Sequence, residues 1–277
     1  MLLENRLLCL VENIMNANSD ITSQIVGIIM DKSTRINTKC IRISEIYYKY
    51  IYTNGPMPVR SRPFIEMKLS NYIRSYYSKT IPHKSNIRIL DICGGNGDVL
   101  KNIGALLGIP KRNLYCVQPK QRDKYPVTNQ DKITQVSWDN VNIPTIPPNS
   151  LDVVIIMASL HHMTRNMRIT LMDNIKVLAK PKSLLIIKEY DCVDKEDKTA
   201  ITWEHALVDL RDNPLATSQN IKSIRGYYED YKSKQYWDNL ICSNGYADAM
   251  STIMQDPPNK TQYNPTNLYW KVYIKLD

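Results

Sequence analysis

Apolar positions along the chain follow two different rhythms. Over the first 55 residues they recur at helical spacing: Leu7, Leu10, Val11 and Ile14, then Ile25, Ile28 and Ile29, then Ile43, Ile46, Tyr47 and Tyr50. Asn54-Gly55-Pro56-Met57-Pro58 breaks the pattern as a turn or linker. A further helix is expected from about Pro63 to Tyr77, ending before Pro82. From Ile87 the rhythm changes to short apolar runs separated by amphipathic stretches. Strands are expected at Ile87–Cys93, Asn113–Val117, Lys132–Ser137, Leu151–Ala158 and Ser183–Lys188. Between them, Val99, Leu100, Ile103, Leu106 and Leu107 share one helical face, and Leu171, Met172, Ile175 and Leu178 share another, stopped by Pro181. The C-terminal third adds a helix through Trp237, Leu240 and Ile241, closed by Asn244-Gly245, and a final strand at Leu268–Lys275. Strands apolar on both faces imply a parallel sheet covered on both sides. The expected fold is therefore doubly wound α/β, with ligands at the carboxyl ends of the strands.

Composition narrows the class without naming a function. The chain has 277 residues, 43% hydrophobic and 23% charged, which suits one domain or one domain with an appendage. No run of 18 apolar residues is present, so no membrane span is expected, and the N-terminus lacks the pattern of a secretory signal. The six cysteines are scattered without metal-ligand spacing, so no metal site and no disulfide framework are expected, and a cytoplasmic location is. Charge is the unusual quantity. The 36 Lys and Arg against 27 Asp and Glu give +9, an excess that favours a polyanionic partner.

The chemistry concentrates in Arg88-Ile89-Leu90-Asp91-Ile92-Cys93-Gly94-Gly95-Asn96-Gly97-Asp98. A strand enters a glycine-rich turn and then a helix, so backbone amides and a helix N-terminus face whatever binds there. Gly97-Asp98 does not supply the Lys-Ser/Thr ending of a phosphate loop. The acid lies before the turn, at Asp91, whereas Gln118 stands where a dinucleotide fold carries its acid. That arrangement suits a ligand with an amino acid moiety.

These residues resemble the first motif of the seven-stranded S-adenosylmethionine (SAM) dependent methyltransferases, Asp/Glu-x-Gly-x-Gly-x-Gly. Asp91, Gly95 and Gly97 match it, and Cys93 replaces the first glycine. Trp138-Asp139-Asn140 resembles the family's adenine-binding acidic motif, and Asn149-Ser150-Leu151-Asp152-Val153-Val154 followed by Ala158-Ser159-Leu160-His161-His162-Met163 its fourth-strand signature. Val177-Leu178-Ala179-Lys180-Pro181 resembles the stop before its fifth strand. The resemblance implies a mostly parallel seven-stranded sheet with helices on both faces, residues 56–277 as the methyltransferase domain, and residues 1–55 as a helical N-terminal extension able to meet a protein partner. It implies SAM as cofactor, held by Asp91, Cys93, Gly94, Gly95, Gly97, Gln118, Trp138, Asp139, Asn140 and Ala158.

Several residues bear on the methyl acceptor. Ser61-Arg62 and Lys68-Leu69 partly resemble a helix of the FtsJ-like RNA 2′-O-methyltransferases, which implies Lys68 and Lys188 as catalytic lysines flanking a ribose hydroxyl. The family's catalytic Asp would end the fourth strand, where Met157 and Ala158 stand, so the tetrad is broken. His161 is a further catalytic candidate at the mouth of the site, and Glu189 and Asp191 are placed to reach substrate. Lys188-Glu189-Tyr190-Asp191 resembles a version of this position in methyltransferase-like proteins of viruses, which implies the host cytoplasm. Three functions follow: an RNA methyltransferase acting on a cap or ribose, a small-molecule or protein methyltransferase, or a non-catalytic SAM-fold subunit that binds RNA or a partner.

Overall fold

The computed structural model describes residues 2–54, 63–78, 86–95, 97–119, 133–138, 143, 146–212, 230–249 and 264–277. Two compact units emerge. The larger comprises Ser61–Glu189, Lys234–Gln255 and Tyr269–Asp277, and holds the sheet. Among the described residues, seven strands lie in the order β3-β2-β1-β4-β5-β7-β6: β1 Ile89–Ile92, β2 Leu114–Pro119, β3 Thr134–Trp138, β4 Leu151–Met157, β5 Ala179–Tyr190, β6 Tyr246–Asp248 and β7 Leu268–Lys275. β3, β2, β1, β4 and β5 are parallel to one another, and β6 and β7 pair antiparallel. Strand order reverses between β1 and β4, which makes their carboxyl ends the topological switch point.

Period-two alternation sorts the strand residues into two cores. Leu90, Ile92, Val154, Ile156, Leu185 and Ile187 face α6 (Arg165–Leu178) and α8 (Lys234–Cys242), through Leu171, Met172, Ile175, Trp237 and Ile241. Ile89, Val153, Ile155, Leu184 and Ile186 face α4 (Pro63–Tyr77) and α5 (Asp98–Leu107), through Leu69, Ile73, Leu100 and Ile103. Helices thus cover both faces, as the apolar strands require.

One boundary differs from the expected one. Pro181 does not stop the preceding helix: α6 ends at Leu178, and β5 begins at once with Ala179. Leu151 pairs with Ala179 but Val153 with Leu184, so an irregularity separates the two registers. Pro181, which has no N–H to give a ladder, and Lys182, at φ 61°, fall inside that irregularity.

The smaller unit joins Met1–Arg60 to Tyr190–Ser233 and Asp256–Leu268. α1 (Leu3–Met15), α2 (Ser19–Met30) and α3 (Ile36–Asn54) share a core with α7 (Lys195–Asp212), a helix the apolar pattern did not reveal. Leu7, Leu10, Ile25, Ile29, Ile43 and Tyr47 pack there with Ala200, Trp203, Leu207 and Leu210. Among the described residues, no helix is long and apolar enough to cross a membrane.

Candidate active site

Leaving β1, the chain makes a turn that only small residues accommodate comfortably. Cys93 still bonds across to β2, its N–H donating to the Val117 carbonyl at 2.8 Å, and then the backbone turns left-handed. Cys93, Gly95 and Gly97 have φ of 58°, 60° and 76°. Such a conformation costs a residue with a Cβ on the order of 1–2 kcal/mol. Glycine removes that cost at 95 and 97, whereas Cys93 bears it, at the very position where the resembled motif has its first glycine. Gly94 has a different reason to be glycine: an added Cβ would run into the carboxylate of Asp91. At Gly97 an added Cβ would also come within 2.5 Å of Ile133 Cδ1. Gly97 caps α5 and closes the turn by donating to the Gly94 carbonyl at 2.9 Å.

Beneath this turn lies Asp91. It is fully buried, and neither carboxylate oxygen has a hydrogen-bond partner among the described residues. Burial pushes its carboxyl up to about 7. Cys116, opposite Asp91 on β2, has its thiol pushed up to about 12 by burial and then by the charge of Asp91. From β2, the Gln118 amide nitrogen donates to the Gly95 carbonyl at 2.7 Å. Expected as a ribose ligand, Gln118 therefore also pins the turn, leaving its amide oxygen as the acceptor it can offer.

A second turn follows β4 at the same edge. Ala158 is left-handed, at φ 47°, and its N–H donates to the Lys188 carbonyl at 2.7 Å. Glu189, expected to reach substrate, is instead fully buried and holds this turn. Its Oε1 accepts the N–H groups of Ser159 and Leu160 at 3.0 and 2.7 Å, and its Oε2 lies 2.7 Å from His161 Nδ1. His161 is itself fully buried, and its Nε2 lies 3.1 Å from Nε2 of half-buried His162. Of the two histidines, His162 is the one with access to solvent. The partnership of Glu189 with His161 joins residues 28 apart in sequence, and no local motif announces it.

The remaining candidates are distributed around the sheet. Lys188 alternates onto the α4 side, only 6% exposed, with its ammonium 5.2 Å from the centre of the Trp270 ring. Lys68 lies half-buried on α4, where it lines a cavity with Tyr72 and Tyr76. The two lysines thus belong to the same side of the sheet but to different surroundings. Trp138 is fully buried in the core on the α6 side, its indole nitrogen without a partner among the described residues. Asp139 and Asn140 lie outside the described residues.

In sequence, a methyltransferase-domain family matches residues 66–226, more than half of the chain and all of the turn just described. The chain belongs to that family. No curated protein matches it in sequence. Among solved structures it is similar to the pyocyanin biosynthetic protein PhzM, at 11% identity and a TM-score of 0.46, over 74% of this chain and 55% of that one. It is also similar to the CurJ carbon methyltransferase, at 14% identity and a TM-score of 0.49, over 99% of this chain and 68% of that one. A third is a SAM-dependent methyltransferase from Mesorhizobium loti, at 10% identity and a TM-score of 0.49, over 74% of this chain and 96% of that one. The chain thus spans little more than half the length of PhzM. The residues of the turn suit the SAM that the resemblance implies: a buried carboxylate, its two oxygens unpartnered among the described residues, stands against a turn that is open at Gly95.

Proposed function

We propose that this methyltransferase binds SAM at the switch point between β1 and β4 and transfers its methyl group to RNA. The observation that carries the cofactor half is Asp91, buried under a left-handed turn with two carboxylate oxygens unpartnered among the described residues. When bound, the donor supplies a methyl group on a positively charged sulfur, already activated for attack. The protein's part is to hold the donor, align the acceptor and accept a proton where the acceptor has one to lose. Asp91 would pair with the cationic amine of the methionine moiety, and Cys93, Gly94, Gly95 and Gly97 would present backbone to it. The amide oxygen of Gln118 is available to a ribose hydroxyl, and Ala158 keeps the β4 edge of the site open. Trp138 would support the adenine end from within the core, with Asp139 and Asn140 following it in sequence. Glu189 would act as a positioning residue through His161, which fixes His162 at the rim.

RNA is the acceptor that charge favours. An excess of nine positive charges suits a polyphosphate, and Lys68 and Lys188 stand on one side of the sheet. A second reading, a small-molecule acceptor, is favoured by the end of β4, where Met157 and Ala158 stand in place of the Asp expected for ribose chemistry. Incubation with methyl-labelled SAM and either capped RNA or a panel of metabolites decides between them. Transfer to RNA is expected, with loss on Asp91→Ala. Transfer to metabolites alone would remove the RNA reading, and failure to bind SAM would remove the cofactor assignment.

A further inference from the structure

The outward flank of α4 has features that packing alone does not require. The buried side of that helix is made by Leu69, Ile73 and Tyr77, which lie in the core against the sheet. On the flank beside it, Lys68, Asn71, Tyr72, Ser75 and Tyr76 line a cavity of about 410 Å³. The volume falls in the range of small-molecule sites, and the lining combines two aromatic rings, an amide, a hydroxyl and a cation. Both rings are held in place. Tyr72 and Tyr76 are half-buried with one side packed on the core, and the Tyr76 hydroxyl donates to the Lys182 carbonyl at 2.9 Å. A ring fixed in this way offers a stacking surface with little left to order on binding.

The helix also has a definite direction relative to the site. At its C-terminal end, the Tyr77 hydroxyl donates to the Asp152 carbonyl, at the start of β4, at 2.6 Å. Towards its N-terminal end, Glu66 accepts from the Asn102 amide, midway along α5, at 3.1 Å, whereas Arg74 donates to the Leu106 carbonyl near the end of α5 at 2.6 Å. α4 therefore runs against the strands, with Lys68 nearer the carboxyl edge that carries the Cys93–Gly97 turn. From Lys68 to Tyr76 the helix rises about 12 Å.

We propose that this groove holds a short single-stranded stretch of the RNA acceptor, with a base stacked at Tyr72 and Tyr76 and a phosphate at Lys68. Aromatic rings that accept any base, beside a cation that takes phosphate, are the chemistry of single-strand binding. The overall charge of +9 supplies the matching field. Lys68 then serves strand binding, and the groove leads the strand towards the carboxyl edge of the sheet. This inference rests on the RNA reading given above.

The test measures binding of a short fluorescein-labelled single-stranded RNA to the full chain by anisotropy, with SAM binding followed separately by calorimetry. Tyr72→Leu is expected to weaken RNA binding by at least about fivefold, and Tyr72→Phe to keep most of the affinity, because the ring and not the hydroxyl stacks. Lys68→Gln is expected to lower the slope of log affinity against log salt by about 0.7, as for one phosphate contact on a single strand. SAM binding by Tyr72→Leu shows that the fold is kept. If RNA binds Tyr72→Leu and Lys68→Gln as it binds the native chain, the groove is not the site, while the RNA reading stands. If the native chain binds SAM but no RNA, the acceptor reading and the groove fall together.

Discussion

Asp91 links burial to binding through its proton. Its carboxyl is raised from 3.8 to about 7, so the folded chain holds a proton that the unfolded chain releases between those values. Stability therefore falls as pH rises through that window. Asp91→Asn cannot ionise, and its thermal midpoint should match the native chain near about pH 4 and exceed it near about pH 8, as calorimetric melts would show. A cationic amine beside the carboxylate favours the ionised form. SAM affinity should accordingly rise between about pH 6 and about pH 7.5, and Asp91→Asn should lose that dependence in titration calorimetry. At Cys93, with φ 58°, replacement by glycine should relieve strain and stabilise the chain by about 1 kcal/mol in urea titrations. The motif pointed to Asp91 and the glycines because it encodes backbone shape. It could not show that Gln118 bonds to Gly95, or that His161 is sealed in the core behind His162, since orientation and burial depend on strands far apart in sequence.

Among the elements, α7 shows what periodicity alone misses. Its core side is made by Ala200, Trp203, Ala206, Leu207 and Leu210, at helical spacing but with two alanines too small to mark a stripe. A clearer sign stood at its start. The Asp194 side chain accepts from Asp197 N–H at 2.8 Å, and Asp197 accepts from Asp194 N–H at 3.3 Å, a reciprocal cap built from two acids. Asp197 also lies 2.9 Å from the Arg6 guanidinium, both side chains almost wholly buried, and accepts from Asn267 at 2.8 Å. Removing one partner strands a buried charge, so Asp197→Ala should destabilise the chain by about 3 kcal/mol or more in chemical denaturation. The long helices and apolar strands were legible because their patterns are local. The onset of β5 at Ala179 was not, since a strand that absorbs Pro181 in an irregularity contradicts the usual meaning of that residue.

Across the whole molecule, the α/β class was legible in strand texture. The grouping of the first helices with α7 was not, because nothing in residues 1–55 indicates a partner more than a hundred positions away. Deleting residues 1–55 should leave Trp203, Leu207 and Leu210 uncovered, and the truncated chain should aggregate where the full chain remains monodisperse in size-exclusion chromatography. The grouping also sets an order of events at birth. Because the smaller unit draws on Met1–Arg60, Tyr190–Ser233 and Asp256–Leu268, its first three helices emerge from the ribosome long before α7. Arg6 is hydrogen-bonded to the Pro265 carbonyl, a contact that waits for nearly the whole chain. During synthesis those helices hold an apolar face that only later sequence can cover, and such exposed surface is what chaperones engage.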